Sequence, residues 1–256
     1  MIELRHVSKT YQTDRASTRA IGDVSLRIDS GEFVSIVGPS GCGKSTLLHM
    51  IAGFLMPSSG SIVIDGQPVA GQLHPSLGYI FQKDTLLPWY TVQKNVALGL
   101  RFKSMPPDQA RSRVDALLEL GHLSEFANAY PHQLSGGMRR RVALLMSLAM
   151  EPRILLLDEP FGALDTHTKT HLHRELMDIW HKLGQTVVLV THDLDEAITL
   201  SSRVVVLSSP PSGVLLDERI DIPYPRDVFS VRESAQFLNH FQSIWGVLGQ
   251  QFRASA

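Results

Sequence analysis

Apolar and polar positions along this chain change their period from segment to segment. Over residues 2–36 they alternate and break in the manner of antiparallel strands. The apolar run 32–37 is followed by a glycine-rich stretch and the amphipathic segment 45–52, which predicts strand, loop and helix. Ser61-Ile62-Val63-Ile64 followed by Asp65-Gly66 predicts a strand closed by a tight turn, and 77–81 predicts another short strand that delivers Gln82. From 87 to 150 the pattern is mostly helical. Pro107-Asp108 opens a helix in which Val114, Leu117, Leu118 and Gly121 share a face. Ser135 stands where an N-cap belongs, ahead of a helix that runs to about 150 and that Pro152 cannot continue.

Strand–helix alternation then returns. Residues 154–157 are fully apolar, as the middle of a parallel sheet requires. Leu172, Leu176, Ile179, Trp180 and Leu183 mark one face of a helix that Gly184 ends. Thr186–Val190 reads as the next buried strand. Arg203–Leu207 and 214–216 follow, separated by Pro210-Pro211-Ser212-Gly213. Residues 223–256 read as a turn and one helix with Phe237, Phe241, Ile244 and Leu248 on a face, suited to packing on its own domain or on a second copy. The expected class is α/β: a mainly parallel core with an antiparallel β arm and an inserted helical lobe at about 87–150. One domain is expected over 1–220, with a helical tail over 221–256. There is no internal repeat and no low-complexity linker.

Composition narrows the function classes. The chain has 256 residues, 43% apolar and 19% charged, and a formal net charge of -1. That is a globular chain with no general pull toward nucleic acid or anionic lipid. The single cysteine, Cys42, excludes an intrachain disulfide, and its place in the glycine-rich loop predicts a thiol accessible to modification. Met1-Ile2-Glu3-Leu4-Arg5-His6 has no apolar signal core. No apolar run reaches the roughly 18–20 residues a membrane span needs. The expectation is a cytosolic chain whose membrane role comes through a partner.

The chemistry starts at Gly38-Pro39-Ser40-Gly41-Cys42-Gly43-Lys44-Ser45. Between a strand and a helix, such glycines let backbone N–H groups curl around an anion, and the helix N-terminus adds partial positive charge. Lys44 supplies a full charge to the β- and γ-phosphates, and Ser45 a hydroxyl for Mg²⁺. Asp158 follows the apolar run 154–157, so it emerges at the C-terminal edge of the sheet, where ligands of open α/β sheets bind. Mg²⁺ keeps several waters and takes few protein ligands, so Ser45 and Asp158 suffice, directly or through water. Ser135, Gly136 and Gly137 also head a helix and suit an anion, which is one anion site more than a single ATP needs.

Leu134-Ser135-Gly136-Gly137-Met138 precedes Ile154-Leu155-Leu156-Leu157-Asp158-Glu159-Pro160. With the phosphate loop ahead of both, this order and spacing resembles the nucleotide-binding subunit of ABC transporters, over about residues 1–216. The resemblance implies a P-loop NTPase core binding ATP and Mg²⁺ through Gly38, Pro39, Ser40, Gly41, Cys42, Gly43, Lys44, Ser45 and Thr46. It implies Glu159 as the base that polarises the attacking water, and His192, in Val190-Thr191-His192-Asp193, as the switch histidine on the γ-phosphate. Gln82 would touch Mg²⁺ or the water and report phosphate occupancy to the helical lobe, and Tyr11 would stack on adenine. The family pairs cassettes head to tail. Ser135, Gly136 and Gly137 of one copy close over the ATP of the other, and Asp165, in Gly162-Ala163-Leu164-Asp165, crosses the same interface. The sequence departs from the family's commonest form at Met138, where glutamine is usual, and 142–148 lacks an arginine often found there.

The function implied is a transport ATPase acting with separate permease subunits, as a homodimer or paired cassette, peripheral to the cytoplasmic face of the membrane. The lack of a fused membrane domain favours import. Leu86-Leu87-Pro88-Trp89 and the 160–165 segment resemble the subgroup serving nitrate, sulfonates and taurine, where a solute-binding protein and the permease choose the cargo. The alternatives are an importer for another small organic solute and a non-transport ABC ATPase acting on DNA or ribosomes, which the compact lobe and single cassette oppose. A non-catalytic regulatory cassette is opposed by the presence of Lys44, Asp158, Glu159 and His192. Leu86-Leu87-Pro88-Trp89 reads as a lobe boundary or as a groove wall for a short helix of a membrane subunit. His167 and His171 lack the acidic partner of a zinc pattern, and Arg139-Arg140-Arg141 reads as surface or lobe packing rather than a nucleic-acid contact.

Overall fold

The computed structural model describes residues 1–13, 16–83, 85–103, 105–162 and 164–254; Ala163 of the 162–165 motif and residues 255–256 of the tail lie outside them. In chain order the elements begin with β1 (Ile2–Thr13), β2 (Ala16–Ile28), β3 (Phe33–Val37) and α1 (Lys44–Ala52). Next come β4 (Ser59–Ile64), β5 (Gln67–Pro68), β6 (Leu77–Ile80), α2 (Val92–Val96), α3 (Pro107–Leu120) and α4 (Gly136–Ala149). The last group is β7 (Ile154–Asp158), α5 (Thr166–Leu183), β8 (Thr186–Val190), α6 (Leu194–Leu200), β9 (Arg203–Leu207), β10 (Ser212–Arg219) and α7 (Ala235–Ala254).

Among the described residues the strands join into one sheet, in the order β5-β4-β1-β2-β10-β9-β3-β8-β7-β6. The arm β5-β4-β1-β2 is antiparallel. The core β9-β3-β8-β7-β6 is parallel. β10 joins the two, pairing parallel with β2 and antiparallel with β9. The α/β expectation therefore holds, with one correction. Residues 33–36 belong to the parallel core, not to the antiparallel region expected over 2–36. All five residues of β3 are buried, and β8 and β9 flank it on both sides. A strand buried on both faces carries no alternation by which its partners could be read.

Helices cover both faces of the core. Val114, Leu117, Leu118, Leu145 and Leu148 of α3 and α4 share one apolar cluster with Leu155 and Leu157 of β7. Leu47, Leu48 and Ile51 of α1 pack with Ile154, Leu156, Val188 and Val190 on the other face. β10 starts at Ser212, earlier than the expected 214. The Ser212 hydroxyl, fully buried, donates to the carbonyl of Cys42 at 2.6 Å and so ties this strand to the phosphate loop. The choice left open for the tail is decided by packing. Phe237, Ile244 and Leu248 of α7 are buried against Ile198, Val204 and Val206 of the same chain. His240 sits 2.6 Å from Glu218 and 2.7 Å from Asp221.

Candidate nucleotide site

The glycine-rich loop leaves β3 at the C-terminal edge of the parallel core and enters α1. Gly43, the N-cap of α1, has φ 94°, which an L side chain rarely adopts, and a Cβ there would lie 2.7 Å from Ile21 Cδ1. Lys44 is buried, and its ammonium donates to the carbonyls of Gly38 (2.9 Å) and Pro39 (3.0 Å), so a full positive charge stands in the mouth of the loop. Ser40 and Gly41 are exposed on the rim. The Tyr11 ring is 41% exposed, and its hydroxyl lies 3.2 Å from Thr46 Oγ1 on the first turn of α1.

Cys42 corrects an expectation. It is fully buried, not accessible, because its side chain turns inward beneath Gly38; a Cβ on Gly38 would come within 2.8 Å of Sγ. Burial pushes the thiol pKa up, against the pull of Lys44, so the sulfur is held as an inert thiol.

Three parallel strands deliver the other candidates to the same edge. Ser45 Oγ donates to Asp158 Oδ1 at 2.8 Å, although 113 residues separate them. Tyr79 of β6 donates its hydroxyl to Asp158 Oδ2 at 3.1 Å. Burial, reinforced by the Asp158 charge, pushes the Tyr79 phenol far up, so it remains a donor. The hydroxyl and carboxylate of Ser45 and Asp158 form an oxygen-only donor pair, which suits Mg²⁺. Glu159 follows with φ 42°, an unusual conformation for a non-glycine residue, held by its N–H on the Val190 carbonyl at 2.9 Å. Its Oε2 accepts from Gln82 Nε2 at 3.1 Å and lies 3.4 Å from His192 Nδ1. Gln82, Glu159 and His192 thus meet, each from the end of a different strand.

Behind His192 stands a buried bracket that the sequence reading passed over. Thr191 Oγ1 donates to Glu196 Oε2 at 2.6 Å, and the Asp193 N–H donates back to Thr191 Oγ1 at 3.0 Å. Lys169 of α5 reaches Glu196 (2.8 Å) and Asp193 (3.0 Å). His173 Nε2 lies 3.8 Å from Glu196 Oε1, and its ring stands edge-on to Phe161 at 4.6 Å. The bracket therefore spans from the loop after Glu159 to the loop carrying His192. Burial alone would raise the Glu196 carboxyl, but His173, Lys169 and Thr191 outweigh it and bring its pKa down to about 2. Because the folded pKa is depressed, the stabilisation is present above the ordinary glutamate pKa and is lost as pH falls toward 2. Glu196→Gln is expected to lower stability at pH 7 by on the order of 2–3 kcal/mol. Chemical denaturation should show that gap closing as pH falls toward 3. A gap independent of pH would refute the charge-based account.

Arg140 is the second residue that sequence reasoning undervalued. It is buried, and its guanidinium donates to the carbonyls of Phe81 (2.8 Å), Gln82 and Pro160, which fastens the Gln82 loop to the turn after Glu159. Arg141 pairs with Glu175 at 3.1 Å. The arginine run is thus packed within the lobe, as expected, but one member grips the site.

Ser135, Gly136, Gly137 and Asp165 form a separate cluster. Ser135 Oγ caps α4 by accepting from the Met138 N–H at 3.2 Å, and Asp165 caps α5 by accepting from the Thr168 N–H at 3.0 Å. A Cβ on Gly137 would lie 2.4 Å from Thr168 Cγ2, which is why the two helix starts can approach closely. The Met138 side chain packs against the core cluster. Among the described residues no hydrogen bond joins these four residues to the phosphate loop. His167 and His171 stand with their Nε2 atoms 3.3 Å apart, and among the described residues no third ligating side chain joins them.

Comparison with known proteins agrees with the family resemblance. Residues 21–162 match the family model described as ABC transporter. The nitrate import ATP-binding protein of Synechococcus elongatus is 42% identical over 235 residues, 90% of this chain and 85% of that protein. The putrescine transport ATP-binding protein of Escherichia coli is 40% identical over 98% of this chain and 65% of its own length. Among solved structures, a dimeric ATP-binding cassette in a post-hydrolysis state with ADP and phosphate bound superposes with a TM-score of 0.77. It is 36% identical, covering 87% of this chain and all of the other.

Proposed function

The chain belongs to the ABC transporter family as an ATP-hydrolysing, ATP-binding subunit, and from that premise we propose that it powers import of nitrate. The observation that carries the proposal is the 42% identity with a nitrate import protein over 90% of this chain. Sulfonate or taurine, the other solutes of the subgroup that the sequence resembles, stand second, and a polyamine-type solute is the third reading, favoured by the putrescine relative.

The chain's own residues divide the work as follows. Lys44 and the N–H groups of the 38–46 loop hold the phosphates, and the exposed Tyr11 ring takes the adenine face. Ser45 and Asp158, with Gln82 at the rim, would hold Mg²⁺, which supplies charge neutralisation at the phosphates when bound. Glu159 takes the proton of the attacking water, and His192 contacts the γ-phosphate. Gln82, bonded to Glu159, carries the state of that pair to the helical lobe at about 87–150.

Ser135, Gly136, Gly137 and Asp165 act on the nucleotide of a second copy in a head-to-tail dimer, which accounts for their separation from the loop of their own chain. The solved relative of similar fold is itself dimeric. Residues 1–220 form the cassette and 221–256 its tail, of which Phe237, Ile244 and Leu248 pack on the cassette.

No helix among the described residues is long and apolar enough to cross a membrane. The permease is met by the 86–89 segment, whose Trp89 is exposed, and by the exposed rings of Phe81, next to Gln82, and Phe54, stacked on Phe81; a separate binding protein delivers the solute.

The test is a gene deletion in the native host, complemented by the wild-type gene. Loss of growth with nitrate as sole nitrogen source, and normal growth with taurine or an alkanesulfonate as sole sulfur source, is the expected result. Loss only on the sulfur sources would replace nitrate by a sulfonate. Normal growth on both, with putrescine uptake impaired, would move the assignment to the polyamine reading.

A further inference from the structure

Tyr79 stands where three parts of the molecule meet. Its hydroxyl donates to Asp158 Oδ2 at 3.1 Å, while Ser45 Oγ holds the other oxygen, Oδ1, at 2.8 Å. Its backbone carbonyl accepts from Ser147 Oγ of α4, the helix headed by Gly136, at 3.1 Å. Its ring lies 4.4 Å from Phe81 and 5.2 Å from Phe54, and these two rings stack on each other at 5.8 Å. Phe81 is 38% exposed and Phe54 44%, so the far side of this ring stack is surface. His49 closes the group, with its ring 5.8 Å from Tyr79 and its Nε2 4.0 Å from Asp158 Oδ2.

A carboxylate held at one oxygen can still rotate about its own axis. A second donor on the other oxygen removes that freedom, and outer-shell hydrogen bonds of this kind set the orientation of a metal-binding carboxylate. The Tyr79 ring cannot shift without moving its hydroxyl, and the ring is packed directly on Phe81, one residue before Gln82. A body pressed on the Phe54–Phe81 face is therefore one rigid ring away from the carboxylate of Asp158.

We propose that Tyr79 is a positioning residue that orients Asp158 for its divalent cation and links that orientation to the exposed Phe54–Phe81 face. The proposal rests on Ser45 and Asp158 holding the cation.

The test uses the full chain, Mn²⁺ as the probe cation and a fluorescent, non-hydrolysable ATP analogue, so that binding is read without turnover. Tyr79→Phe keeps the ring and its packing and removes only the hydroxyl. The expected result is nucleotide binding equal to wild type without metal, and about tenfold weaker metal-dependent binding, with a changed Mn²⁺ electron paramagnetic resonance line shape. Asp158→Asn is the control for the premise. If it leaves the Mn²⁺ signal unchanged, the cation site itself is misassigned. If it abolishes the signal while Tyr79→Phe matches wild type, the role of Tyr79 is overturned and the site stands. For the link, Phe81→Ala is expected to change the Mn²⁺ signal in the wild-type background and to change it much less in Tyr79→Phe. Equal changes in both backgrounds would overturn the coupling.

Discussion

Glu159→Gln should bind ATP with wild-type affinity and hydrolyse it on the order of 10²–10⁴-fold more slowly. The carboxylate lies between Gln82 Nε2 at 3.1 Å and His192 Nδ1 at 3.4 Å, at the edge where Lys44 and Ser45 present the phosphate loop. An amide of the same size keeps an oxygen that accepts from Gln82, so the local packing survives. What it lacks is the basicity to take a proton from water. Steady-state phosphate release and binding of a fluorescent ATP analogue, measured on the same preparation, separate the two effects. Turnover within a few-fold of wild type would remove Glu159 from the role of base. A parallel loss of binding would mean that the residue holds nucleotide rather than activates water.

Arg140→Met should lower both stability and turnover. The arginine is buried and donates to three carbonyls, on Phe81, Gln82 and Pro160, which lie on the two loops that carry Gln82 and Glu159. Methionine fills much of the volume but leaves those acceptors without their donor. Each acceptor left unsatisfied in the interior costs about 1–3 kcal/mol. Water reaches part of this region, so a net loss on the order of 3 kcal/mol is expected rather than the full sum. Without the clamp the Gln82–Glu159 hydrogen bond loses its frame, and kcat should fall at least about tenfold, since small displacements of positioned groups cost catalysis heavily. Lysine has one compact donor head in place of a planar fork, so Arg140→Lys should recover only part of each loss. Thermal denaturation and kcat at saturating ATP check both. Wild-type values for Arg140→Met would show that the clamp is incidental.

The two residues differ in how legible they were. Glu159 is legible through its neighbour and the resemblance: Asp158 follows four apolar residues that read as a buried strand, and the family's pattern gives the next carboxylate its expected role. Arg140 stands in a run of three arginines whose sequence looks like any solvated helix face. Its partners Phe81 and Gln82 are 59 and 58 residues away, and only the packing of α4 against β6 brings them together. Tyr79 is hidden in the same way: an aromatic in a short strand reads as core, and its partner Asp158 is 79 residues distant. Cys42 was misjudged because exposure belongs to the side chain, not to the loop. The rim of the loop is open at Ser40 and Gly41 while the next residue is fully buried.

The sequence by itself determined whatever is local in the chain. The glycine spacing between β3 and α1, the cap at Ser135, the four apolar residues ahead of Asp158 and the amphipathic faces of α5 and α7 all follow from backbone conformation and burial period within a few residues. The tertiary structure alone decided which of these faces meet. It assigned β3 to the parallel core, docked α7 on its own chain, turned Cys42 inward and built the Arg140 clamp, the Tyr79 contact and the Glu196 bracket. The physical reason is that a hydrophobic period records that a face is buried, but not against what. Partners are selected by the crossover connections of the sheet and by side-chain shape, which no short window of the chain contains.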